Sequence, residues 1–97
     1  TLIHDWARSA LSGRYAARGM DTDIETAMAG VAVEARAVTL AQDWLAPPGS
    51  TRYLLSKLPQ SRHRIDTLEM QALKTRADHF GWMKQPGAVI ESLLRPV

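Results

Sequence analysis

Apolar residues recur along the chain at spacings of three and four, the signature of helices that bury one face. Ile3, Trp6, Ala10, Leu11 and Tyr15 line one face of a first helix over about Leu2 to Arg18. Gly19 stands where a left-handed cap ends such a helix, and Met20 is placed to pack back on Tyr15. A second helix is predicted from about Asp23. Thr22 and Glu25 have capping-box spacing, and Asp21 and Asp23 favour the positive end of the helix dipole. Its apolar face runs through Ile24, Met28, Val31, Ala35 and Val38 to Trp44 or Leu45, and its row of alanines permits a close helix contact. The stretch Val31 to Leu40 also fits a strand of period two, because of its β-branched residues. The abundance of alanine and the lack of an evident partner strand favour the helix.

Pro47, Pro48 and Gly49 end that helix, and Ser50 or Thr51 caps a short third one over about Thr51 to Leu58, closed by Pro59. A fourth is expected over about Arg62 to Phe80, with Ser61 as its cap and Met70, Leu73, Ala77 and Phe80 on its inner face. Gly81 breaks the run. A last helix spans about Pro86 to Leu94, its proline suited to the first turn. The expected fold is all-α, a compact bundle of four to five helices forming a single domain over residues 1–97, with a hinge at 46–50.

Composition agrees with a folded chain. The 97 residues are 45% hydrophobic and 23% charged, ordinary globular values, and there is no cysteine, which removes disulfides, thiolate metal sites and cysteine nucleophiles. A cysteine-free chain with no stretch apolar enough to span a bilayer fits a cytoplasmic setting, and a first residue other than Met suggests a processed chain or a domain fragment. Charge is unevenly divided. Residues 1–50 carry four arginines against six carboxylates, whereas residues 51–97 carry eight basic side chains against four acidic ones. Such a field steers acidic partners or a phosphate backbone towards the C-terminal half.

The chemistry-bearing residues read mostly as structure. His4, His63 and His79 lie far apart in sequence with no metal-ligand spacing, so no metal site is expected. Neighbours on a helix point about 100° apart, so Asp78 cannot orient His79, and no nucleophile elbow, phosphate loop or dinucleotide fingerprint occurs. The expectation is a protein that is not an enzyme and uses no cofactor or small-molecule substrate. The densest basic cluster, Arg62, His63 and Arg64, with Arg52 and Lys57 nearby, has the makings of a phosphate-binding or acidic-partner face. Further along, Ala77-Asp78-His79-Phe80-Gly81, then Trp82 and a helix from Pro86, resembles a helix-turn-helix. That resemblance implies that Lys84, Gln85 and Glu91 face DNA. The leading functional expectation is a non-catalytic helical module that binds a partner protein or itself through an apolar face rimmed by basic residues. The alternative is a small nucleic-acid-binding domain. In either case the contact residues expected are Arg52, Lys57, Arg62, His63, Arg64, Trp82, Lys84 and Gln85, with Trp82 exposed.

Overall fold

A computed structural model describes all 97 residues, and it corrects the all-α expectation: two strands lie at the centre of the chain. The order is α1 (Leu2–Ser12), α2 (Ile24–Ala29), β1 (Glu34–Leu40), α3 (Pro48–Ser56), β2 (Arg62–Leu68), α4 (Met70–Leu73), a 3₁₀ turn (Gly81–Lys84) and α5 (Gly87–Leu94). The strands run parallel, with Glu34 opposite Arg62 and Leu40 opposite Leu68, so β1, α3 and β2 form a β-α-β unit.

The physical reason for the correction lies in the ends of those segments. Gly30 closes α2 after six residues, and the β-branched run that follows finds a partner 28 positions further along the chain. Ser61, expected as a helix cap, instead accepts from the Val33 amide at 3.1 Å and donates to the Val31 carbonyl at 2.9 Å, fastening the start of β1 to the start of β2. The expected fourth helix therefore divides into β2 and the short α4, where Lys74 turns left-handed at φ 62. The first helix also stops early. Gly13, not Gly19, adopts the left-handed cap, at φ 71. Asp23 caps α2 by accepting from the Thr26 amide, which leaves Glu25 to receive the Tyr15 amide at 2.8 Å and to pair with Lys57 at 3.1 Å. Gly49 and Ser50, in the expected hinge, lie inside α3. The last helix lies where its proline placed it.

Helices α3 and α5 both pack on β1. Val38 and Leu40 point towards α5 and join Leu73, Ala77 and Val89 in the core, flanked by Leu68, Trp82 and Ala88. The intervening residues face the other way, where the Thr39 and Thr67 hydroxyls bond across the strands at 2.9 Å. On the α5 face a charged clamp closes the far end of the sheet. Asp66 of β2 accepts from Ser92, Arg64 and Arg95, while Arg64 also donates to the carbonyls of Ser92 and Arg95 at 2.6 and 2.8 Å.

Only nine residues are buried, and large apolar side chains such as Leu2, Trp6, Leu11 and Trp44 stand in solvent. The radius of gyration is 15.2 Å, against about 13 Å for a compact chain of this length. The molecule is a thin slab, 44 Å long and 18 Å across its shortest axis. No helix is long and apolar enough to cross a membrane.

Candidate functional site

Two chain segments leave the carboxyl ends of the parallel strands and meet. The first follows β1 directly. The Asp43 amide donates to the Leu40 carbonyl at 3.0 Å, and the Asp43 side chain accepts at Oδ1 from the Leu45 and Ala46 amides at 3.0 and 2.9 Å. This turn is the local bonding that aspartate favours, and it fixes the carboxyl with its second oxygen pointing away from its own loop. The second segment follows β2 and α4. There the Asp78 carboxylate accepts from the Phe80 and Gly81 amides at 3.2 and 2.6 Å, bending the chain so that His79 projects from the turn. The Gln42 amide reaches the Ala77 carbonyl at 2.9 Å and ties the two loops together.

At their junction His79 Nδ1 lies 3.0 Å from Asp43 Oδ2. The Asp43 side chain is only 7% exposed, whereas that of His79 is 45% exposed, so the acid is sheltered and the imidazole faces outward. Burial pushes the Asp43 carboxyl up, but hydrogen bonds from the Ala46 amide, the His79 ring and the Leu45 amide outweigh it and hold the group below its ordinary value. An ionised carboxylate only accepts hydrogen bonds, so Nδ1 carries the proton and donates it to Asp43. In the neutral ring this leaves the Nε2 lone pair free to accept a proton. The Phe80 ring stands edge-on to the imidazole with centroids 5.1 Å apart.

Beside the pair a cavity of about 240 Å³ is lined by Val38, Leu40, Ala46, Val89, Leu93 and Trp82, with Thr39 and Thr51 also on its wall. Larger hollows of about 500 and 520 Å³ flank α1, but their walls contain no carboxylate or imidazole, so they lack the groups that acid–base chemistry needs. No group of three or more histidine or carboxylate side chains converges to hold a metal ion.

The contact residues expected from sequence are dispersed. Lys57 is paired with Glu25 and lies over the Tyr53 ring, 4.9 Å from its centroid. Arg62 is bonded to Glu34, His63 to the Leu58 carbonyl, and Arg64 to Asp66 and Ser92. Arg52 is exposed on α3, and Lys84 and Gln85 are exposed at and just beyond the end of the 3₁₀ turn. Trp82, expected in solvent, packs half-buried against the core. The helix-turn-helix geometry is absent: residues 77–80 are a bonded turn, and α4 before them has four residues. The pair that does form was missed, because the partner of His79 lies 36 positions upstream rather than next to it. No local spacing signals the pair: β2, which precedes His79, is charge-rich, and α4 intervenes between them. Comparison with protein families, curated proteins and solved structures finds no match for this chain.

Proposed function

We propose that Asp43 and His79 are the acid and the general base of a relay that activates a nucleophile for acyl transfer or hydrolysis. The observation that carries this reading is the Nδ1 to Oδ2 contact at 3.0 Å, made by a buried carboxylate to a half-exposed imidazole. In such a relay the aspartate fixes the tautomer and steadies the imidazolium as it forms, while Nε2 takes the proton of the attacking group. Placement supports the same reading. Sites in parallel α/β sheets collect at the carboxyl ends of the strands. In α/β-hydrolase sheets the chain order is nucleophile, then acid, then histidine. Here an acid after β1 precedes a histidine after β2, a likeness of arrangement rather than of matched sequence. The proposal places this pair in a reducing, cytoplasmic setting. Association with another polypeptide, expected from the apolar surface, is part of this proposal. The exposed Leu2, Ile3, Trp6 and Trp44 support it.

Hydrolysis of p-nitrophenyl acetate by the purified chain tests the pair, because an oriented imidazole attacks this ester or activates water against it. His79→Gln is expected to lower the rate to the background of His4 and His63, and Asp43→Asn to lower it through loss of the Nδ1–H tautomer. Nitrogen chemical shifts of the His79 ring report that tautomer directly. Equal rates in wild type and both variants, or a proton resident on Nε2, would refute the reading.

A further inference from the structure

His79 stands in a loop, Ala77 to Gly81, that is anchored on both sides of it. Before it, Ala77 is fully buried, and its carbonyl takes the amide of Gln42, the residue next to Asp43. After it, Gly81 is buried, and the Thr75 hydroxyl donates to the Gly81 carbonyl at 3.4 Å. Two anchors alone leave the peptides between them free to rotate. The Asp78 carboxylate removes that freedom. Its Oδ1 receives both the Phe80 amide at 3.2 Å and the Gly81 amide at 2.6 Å, closing a ring of bonds around residue 79. Gly81 makes room for this, since the place a Cβ would take lies 2.9 Å from the same oxygen.

The loop that carries Asp43 is built in the same way. Asp43 Oδ1 receives the amides two and three residues ahead, those of Leu45 and Ala46. The two turns differ in what their second oxygen meets. Asp43 Oδ2 meets the His79 ring, whereas Asp78 Oδ2 faces Arg76 Nε at 3.5 Å, on a side chain that is largely exposed. An ion pair so long and so solvated holds little. The two amides therefore fix the Asp78 carboxylate. They also hold its carboxyl below the ordinary value, the Gly81 amide foremost and the Phe80 amide after it, against the opposing effect of burial, with the Arg76 and His79 charges behind them.

We propose that Asp78 is a positioning residue for His79, one that aims the imidazole at Asp43 through the backbone and without bonding the ring. On a helix a carboxylate cannot orient the residue that follows it. In this turn it does so by holding the amides on the far side of that residue. The contribution is two accepted hydrogen bonds rather than a charge, so an amide oxygen in the same place serves equally. Any catalytic consequence rests on the reading of Asp43 and His79 as a relay, whereas the effect on the ring rests on the turn alone.

Asp78→Ala and Asp78→Asn in the purified chain separate bonding from charge. Asp78→Ala loses both bonds, and the imidazole, released from Asp43, is expected to divide its proton between Nδ1 and Nε2 in the ring nitrogen shifts. Its hydrolysis of p-nitrophenyl acetate is expected to fall about tenfold as orientation is lost, with circular dichroism retained. Asp78→Asn accepts the same two bonds, so it is expected to keep the proton on Nδ1 and a rate within about twofold of wild type. In the wild-type chain the Phe80 and Gly81 amides are expected to exchange about tenfold or more slowly than the unbonded His79 amide, a measure that stands even where Asp78→Ala unfolds. A folded Asp78→Ala that keeps its proton on Nδ1 overturns the proposal. So does an Asp78→Asn that behaves like Asp78→Ala, or rapid exchange at Phe80 and Gly81. Wild-type hydrolysis that does not depend on His79 removes the relay alone and leaves the ring shifts of the two variants to decide this inference.

Discussion

At the scale of single residues, the site depends on how tightly its loops are turned. Gly81 is buried, and a Cβ there would stand 2.7 Å from the Arg76 carbonyl oxygen and 2.9 Å from both Arg76 Cβ and Asp78 Oδ1. Backbone occupies part of that space, so relief requires the turn that presents His79 to shift. Gly81→Ala is expected to cost about 1–3 kcal/mol, as overpacking does. Urea denaturation measures that loss, and the same variant moves the His79 ring resonances. Gly81 was legible in the sequence as a break in helical pattern, but its role was not, since a glycine beside a turn looks the same whether it caps a helix or makes room for a carboxylate. Asp43 and His79 were individually visible and uninformative. Their chemistry belongs to the 3.0 Å between them, a distance that no local spacing encodes.

At the scale of elements, α5 is held to β2 by charge as well as by its apolar face. The Ser92 hydroxyl, ahead of the Arg64 and Arg95 guanidiniums, holds the Asp66 carboxyl below its ordinary value of 3.8. Asp43 is held below the same value where the two loops join. A carboxylate whose folded value is depressed adds stability above its unfolded value, and that contribution is lost as pH falls through the folded one. Stability is therefore expected to hold above about pH 4 and to decline below it. Asp66→Asn should flatten that decline in acid titrations followed by circular dichroism. Ser92→Ala should weaken it and cost about 1.5–3 kcal/mol at neutral pH, the worth of a hydrogen bond to a charged group. The elements themselves were unevenly legible. Pro86 marked α5 because a proline acts on its own turn wherever it stands. The strands were hidden for a different reason. A strand covered on both faces by helices needs no polar alternation, and Ala35, Ala37 and Val38 fall as readily on a helix face as on a pleat. Likewise Ile65 and Leu68 of β2 sit three apart, a spacing that a helix also uses.

At the scale of the whole molecule, stability rests on a small core. Leu40, Leu73, Ala77 and Val89 are its buried members, and Leu73 is 2% exposed. Leu73→Ala is expected to cost about 2–5 kcal/mol, a large share of the total for a slab with so little buried surface. Thermal melting followed by circular dichroism should show it as a loss of cooperative unfolding, whereas Leu11→Ala on the exposed face of α1 should leave the midpoint unchanged. The residues by themselves determined the breaks at Pro59 and Gly81, the final helix and the absence of thiol chemistry. Each of these depends on a side chain's effect on its own backbone or on a residue type being present at all. Which segments became strands, which charges were consumed in pairs and which histidine acquired an acid were decided by the tertiary structure. The strand pairing and the Asp43–His79 contact join residues 28 and 36 positions apart, and the energy that selects them is released only when distant segments meet.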